Sequence, residues 1–381
     1  MKSNAKHIII IGPAHPLRGG LASYNERLAR AFIAAGHQVQ LYTFSLQYPG
    51  FLFPGTTQFS TEPAPEDLEI KVAINSVNPL NWYKIGHQLN KLKPDLIVVR
   101  YWLPFMGPCL GTILRLAKKN KHTKVVCIAD NVIPHEKRIG DKAFTNYFIK
   151  PVDGFITMSE KVLKDLQLFN KEKNAKFVAH PLYDNFGEKV SQTEARNKLS
   201  IPLHSKVVLF FGFIRHYKGL DILLNSISEL SKQSSDNSTI KFLIAGEFYE
   251  DRKPYDEQIT RLGIANQLIL RTDFIPDSQV KYFLCAADVV IQPYRNATQS
   301  GVTPLAYHFE IPMIVTNVGG LPSLVPNGKV GLVAEPNPVD LAEKISNFFK
   351  IGADSFIAGI QEEKKKYSWE VMVHEILELS K

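Results

Sequence analysis

Short runs of Ile, Val, Leu and Phe alternate with segments of helical periodicity along the chain. A polar stretch near Asn185–His204 interrupts this rhythm once, after which it restarts. Apolar runs of this kind, each followed by an amphipathic segment, read as buried parallel strands with crossover helices, that is, a doubly wound α/β sheet. In the first half the runs predict strands at His7–Ile11, Gln38–Phe44, Glu69–Ala73, Asp95–Val99, Lys124–Ala129, Gly154–Met158 and Lys176–Ala179. In the second half they predict Lys206–Phe211, Ile240–Ala245, Gln267–Arg271, Asp288–Gln292, Met313–Thr316 and Gly331–Val333. Between strands, Leu28, Ala31, Phe32 and Ala35 share one helical face, with Ser23 and Glu26 spaced as a capping box and Gly36 as a stop. Leu220, Leu223, Leu224, Ile227 and Leu230 form a second stripe.

The 381 residues are long for one core and comfortable for two. The expected architecture is therefore two tandem Rossmann-like, doubly wound domains facing a cleft: residues 1–190 and 191–362, with a helix at 363–381 returning toward the first. In that helix Trp369, Val373, Ile376 and Leu377 point inward. In such folds ligands bind beyond the carboxyl ends of the strands, so the residues that follow each strand carry the chemistry.

Arg215-His216-Tyr217-Lys218-Gly219 follows the Lys206–Phe211 run and opens a helical stripe. Cations are unfavourable at a helix N-terminus, so Arg215 and Lys218 there imply a bound anion; Arg grips a phosphate with two parallel bonds and Lys acts as a point charge. Arg18-Gly19-Gly20 makes a similar turn after the first strand, where paired glycines let the backbone approach a ligand. Gln292 to Val302 joins a strand to a helix start, placing Gln299, Ser300, Gly301 and Val302 where backbone amides can receive a diphosphate, with Ser300 as the cap. His135 lies just past the Lys124–Ala129 strand, and His15 shares that geography.

The exclusions narrow the class. No stretch approaches the roughly 18 uninterrupted apolar residues of a membrane helix, and Met1–Lys6 leads into a first strand too short for a signal peptide. Cys109, Cys127 and Cys285 are widely spaced in apolar surroundings, as expected of buried thiols in a reducing compartment. There is no Asp-x-Asp, no phosphate-loop motif and no Gly-x-Ser-x-Gly. The net charge of +8 favours anionic partners, but the basic residues form no aromatic-interleaved stripe, so a nucleic acid is not expected among them.

Taken in order, these motifs resemble those of the retaining glycosyltransferases of family 4, which have the two-Rossmann GT-B fold. Gly19-Gly20, His135, Phe210 through Asp221, Ala286-Ala287-Asp288 through Tyr294, and Ile311-Pro312 through Gly331 all match the family pattern in sequence order. The chain departs from it at the usual Glu-x7-Glu motif, whose positions carry Ala297 and Leu305; Glu310 stands where a glycine is usual.

The resemblance implies transfer of a sugar from a nucleoside diphosphate sugar with retained configuration, with no metal and no cofactor beyond the donor. It implies that Arg215 and Lys218 stabilise the departing phosphate, that His135 positions the sugar or the acceptor, and that Gly19, Gly20, Gln299, Ser300, Gly301 and Val302 contact the donor. The backbone near Ile275 would meet the base. A glycan acceptor, lipid-linked, is expected on the first half, in polysaccharide or lipopolysaccharide synthesis. The apolar loop Tyr48–Pro54 and the segment Asp141–Lys150, with Phe144, Tyr147 and Phe148 beside Lys142 and Lys150, suit peripheral contact with the anionic inner face of the cytoplasmic membrane. Two other readings stay open: a sugar-nucleotide 2-epimerase, and a non-catalytic partner that keeps the fold.

Overall fold

Ile8 to Ile11 are four consecutive branched residues, each no more than 1% exposed, and form the interior of β1 (His7–Ile11). β2 (Gln38–Leu46) and β4 (Leu96–Tyr101) flank it in parallel, and β3 (Ile70–Asn75), β5 (Lys124–Ala129), β6 (Gly154–Thr157) and β7 (Asn174–Phe177) complete a seven-stranded sheet in the order β3-β2-β1-β4-β5-β6-β7. A second parallel sheet runs β10-β9-β8-β11-β12-β13, built from β8 (Lys206–Phe211), β9 (Ile240–Ala245), β10 (Leu268–Arg271), β11 (Val289–Gln292), β12 (Met313–Thr316) and β13 (Gly331–Ala334). The computed structural model describes residues 5–50, 57–134, 139–233, 239–297 and 300–381. These fall into two units, Met1–Pro181 with Ser368–Lys381, and Leu182–Tyr367.

Both sheets are wholly parallel, so helices cover both faces; the central strands are buried nearly throughout, while the edge strands β3, β7 and β10 are half-buried or exposed. The stripe on the helix Leu220–Gln233 is as expected: Leu220, Leu223, Leu224, Ile227 and Leu230 are all buried. A repeated device fixes the amino edges of the sheets. Asp95, Asp153 and Asp288 each precede a strand, and each carboxylate accepts from an amide of the neighbouring strand: His7 at 2.8 Å, Val125 at 2.8 Å and Val207 at 2.7 Å. The three cysteines are buried free thiols.

Strand ends shift by a residue or two, most at β7, which runs Asn174–Phe177 and not Lys176–Ala179, and three larger expectations differ in detail. The first helix runs Gly20–Ala34, a turn earlier than the Ser23–Glu26 pair suggests. Gly19 supplies the turn with φ 100°, its carbonyl accepts from Ala22 and Ser23, and Glu26 instead accepts from the His15 amide at 2.8 Å, so no capping box forms. The first division falls at 181/182, because residues 182–189 pack within the second unit: Leu182 donates to the Tyr367 carbonyl, Tyr183 lies against Gly301, and the Gly187 carbonyl meets the His308 ring.

At the other end, the returning helix is Trp369–Leu379, capped by Ser368, and residues up to Tyr367 stay with the second unit. Its Trp369 ring lies 5.0 Å from Tyr24, the Arg27 guanidinium sits 4.9 Å above that indole, and Leu379 covers Gly154.

Candidate active site

The carboxyl ends of β8, β9, β10 and β11 share one edge of the second sheet, and the loops leaving them are tied backbone to backbone. The Gly212 amide donates to the Ala245 carbonyl at 2.9 Å, Ile214 to Glu247 at 2.8 Å, and Tyr249 back to Ile214 at 3.0 Å. Gly212 and Gly246 hold positive φ of 95° and 138°; a methyl group on Gly246 would stand 2.3 Å from the Gly212 carbonyl oxygen, so only glycine lets the loops touch.

Residues His216–Lys218 form one tight turn, ended by Gly219 at φ 68°. A methyl group there would meet the Pro293 carbonyl oxygen at 2.0 Å. On the β11 side, the Arg295 amide donates to the Tyr217 carbonyl at 2.7 Å, its guanidinium pairs with Asp221, and the Thr316 hydroxyl donates to the Tyr294 carbonyl at 2.6 Å.

This frame holds two cations without neutralising them. Among the described residues, neither the Arg215 guanidinium nor the Lys218 ammonium has a hydrogen-bond acceptor or a carboxylate partner. Each lies over a ring instead, Arg215 at 5.3 Å from the Tyr249 centroid and Lys218 at 5.7 Å from that of Tyr294. Lys218 is half-buried, and burial together with the Arg215 charge pulls its pKa from 10.5 down to about 8. A methyl group on Gly212 would sit 3.0 Å from Lys218 Nζ and 3.7 Å from Val302 Cγ2, so the ammonium and the start of the helix Val302–Phe309 flank the same glycine.

Of the expected donor contacts, Ser300 and Gly301 present amides with no partner among the described residues. The Val302 amide is not available as expected: the Ser300 hydroxyl accepts from it at 3.2 Å. Gly301, not Ser300, is the helix cap residue. Ile275 is half-buried in the loop between β10 and the helix Asp277–Ala286, on the same edge. Ala297 and Leu305 are 3% and 6% exposed, so two apolar side chains fill the positions of the usual carboxylates. Glu310 ends its helix at φ 57°, the left-handed conformation that favours glycine, and its carboxylate is bound to Lys364 and Lys189.

In the first unit, Gly19 and Gly20 open the first helix as described, and Arg18 Nε donates to the Thr57 carbonyl at 2.8 Å. His15 ties its ring to the Glu62 carbonyl at 3.1 Å. At the carboxyl edge, Arg100 makes a two-pronged pair with Asp130, both bonds 2.5 Å, beneath the Tyr24 ring. His135, Gln299 and residues 51–54 of the apolar loop lie outside the described residues.

Sequence reasoning passed over Glu247, 5% exposed on the β9 loop, and the aromatic residues Phe213, Tyr217, Tyr249 and Tyr294 around the cations. The run Ala245-Gly246-Glu247 after a strand was the available signal for the first; ring positions around the cations have no periodic signature. A cavity of about 250 Å³ lined by Arg196, Lys206, Asp288 and Phe349 lies at the opposite, amino edge of the sheet. Among the described residues no group of three His, Cys, Asp or Glu could hold a metal ion.

Residues 205–350 match the family described as glycosyl transferases group 1, and residues 18–179 match glycosyltransferase family 4. A D-inositol 3-phosphate glycosyltransferase of Acidothermus cellulolyticus is 24% identical over 391 residues, covering 94% of this chain and 84% of that protein. One from Corynebacterium aurimucosum is 31% identical over 141 residues, 36% of this chain and 33% of that protein. Among solved structures, Anabaena Alr3699/HepE in complex with UDP-glucose superposes with a TM-score of 0.73 at 16% identity, covering 98% of each chain. A glycosyltransferase from Rickettsia africae does so with a TM-score of 0.73 at 17% identity, covering 99% of this chain and 98% of that one. The two parallel sheets are those of the GT-B fold, and with both halves matched in order the chain belongs to the group 1, family 4 glycosyltransferases.

Proposed function

We propose that the chain moves a sugar from a nucleoside diphosphate sugar to a glycan acceptor, lipid-linked, with retained anomeric configuration and without a metal ion, in the synthesis of cell-envelope polysaccharide or lipopolysaccharide. The observation that carries this reading is the pair Arg215 and Lys218, two cations held at the carboxyl edge of β8 with no counter-charge among the described residues. Such a pair is incomplete until an anion arrives. In the reaction the bond from C1 to the β-phosphate oxygen breaks, the acceptor oxygen takes C1, and the acceptor proton leaves with the diphosphate. The growing charge on that phosphate is what Arg215, Lys218 and the Ser300 and Gly301 amides answer, in a site already shaped for it. Backbone contact of Gly19 and Gly20 with an anionic group, of Ile275 with the base, and positioning of sugar or acceptor by His135 complete the assignment. UDP-glucose bound to the Anabaena neighbour supports a nucleotide-sugar donor.

Peripheral contact with an anionic membrane is supported by the helix Asp141–Ile149, which exposes Phe144 and Tyr147 at 39% and 38% beside exposed Lys142 and Lys150. No helix of the described residues is long and apolar enough to cross a membrane.

The test is a panel of UDP and GDP sugars with released nucleoside diphosphate measured, with and without lipid-linked acceptor, in buffer containing EDTA. Transfer should survive the chelator, and Lys218→Ala should lower turnover by about 100-fold, the usual loss for one such electrostatic contact. Near wild-type turnover in Lys218→Ala sinks the assignment. Failure of every nucleotide to bind leaves the non-catalytic reading standing.

A further inference from the structure

Arg215 is held in an unusual way. The residues on either side of it are pinned to the loop after β9: the Ile214 amide donates to the Glu247 carbonyl at 2.8 Å, and the His216 amide donates to Glu250 Oε2 at 2.7 Å. Glu250 is the carboxylate of that loop placed to hold the turn, yet it is spent on the His216 amide and the Tyr255 hydroxyl. The guanidinium itself lies over the Tyr249 ring, 5.3 Å from its centroid. That ring is fixed in turn by its stack on Phe213, centroids 4.1 Å apart and planes 28° from parallel, and by the Tyr249 amide on the Ile214 carbonyl at 3.0 Å.

A carboxylate partner would orient Arg215 but also occupy its donors and cancel its charge. A ring face orients the guanidinium through cation–π attraction and leaves its N–H donors for a ligand. We propose that Tyr249 is a positioning residue that holds Arg215 ready for the donor diphosphate, with Phe213 behind it as the fixed support. The inference rests on the function proposed above and adds to it the device that keeps one of the two cations both ordered and unneutralised.

The test is a mutant cycle on the full chain, read as dissociation constants for UDP and GDP by calorimetry. Tyr249→Leu weakens the better-bound nucleotide by about tenfold, consistent with losing one cation–π contact and the order it imposes. Tyr249→Phe, which keeps the ring face, restores affinity to within about twofold. In an Arg215→Ala background, Tyr249→Leu adds less than about twofold, because a residue that acts through Arg215 has nothing left to act on.

Tyr249→Met replaces the leucine variant should the latter unfold. Equal affinity in Tyr249→Leu and wild type overturns the inference, as does a tenfold loss that persists without Arg215. If wild type binds neither nucleotide, the proposed function falls and this inference falls with it; a wild type that binds while Tyr249→Leu binds equally well removes only the inference.

Discussion

Replacing Lys218 by methionine should make the ligand-free protein more stable at neutral pH. Burial and the neighbouring Arg215 charge lower the Lys218 pKa from 10.5 to about 8. At about 1.4 kcal/mol per pH unit, that difference weighs against folding by about 3 kcal/mol when both states are protonated. The sign follows from proton counts. Below pH 8 the folded and unfolded chains both carry the proton, and the full penalty is present. Between pH 8 and 10.5 the unfolded chain binds more protons than the folded one, so stability rises with pH and the penalty fades. Lys218→Met has no such group and keeps the apolar stem.

The ammonium is partly wetted, so the expected gain is about 1–3 kcal/mol at pH 7, narrowing to about 1 kcal/mol or less by pH 10. Other titrating groups are common to both proteins and cancel. Urea unfolding should be followed by circular dichroism, because Trp82, Trp102 and Trp369 all lie in the first unit and report nothing of the second. A variant less stable than wild type at pH 7, or a gap that widens as pH rises, would refute the claim that an uncompensated charge is stored beside β8.

Two further outcomes are expected. Gly219→Ala should lower stability by about 1–3 kcal/mol and UDP or GDP affinity by at least tenfold, since its methyl group would press the Pro293 carbonyl at 2.0 Å. Gly263→Ala, at nearly the same φ of 66° but with open space around it, gives the backbone cost alone and should leave nucleotide affinity unchanged. Asp130→Asn should cost about 3–5 kcal/mol by leaving the Arg100 charge buried against a neutral partner, seen as a lower urea midpoint in tryptophan emission.

The sheets were legible because their central strands are buried on both faces and therefore written as apolar runs; Ile8–Ile11 and Val207–Phe210 need no context to be read. Edges of elements were less so. The apolar runs predict Glu69 and Asp95 as strand residues, yet β3 begins at Ile70, and Asp95 accepts from the His7 amide of β1 before β4 begins. Of the candidate site, Arg215, Lys218 and Gly219 stand out in the sequence because cations beside a glycine at a strand-to-helix junction conflict with the helix dipole. The rings that hold those cations come from Tyr249 and Tyr294, on two other loops. Their convergence depends on which strands are neighbours, and no local pattern states that. The capping role read for Ser300 was off by one residue, because a hydroxyl accepting from the second amide beyond it resembles a cap in sequence and differs only in backbone angles.

The first unit is completed by residues 368–381, which come after the whole of the second unit in chain order. During synthesis the Tyr24 face, which Trp369 later covers, waits for residues 182–367 to emerge, on the order of ten to forty seconds at 5–20 residues per second. The second unit is continuous and free to fold in that interval, so the half born first is finished last. A chain stalled before Trp369 would carry one mature half beside one with an aromatic seam left open, which gives quality control in the cell a clear mark to recognise.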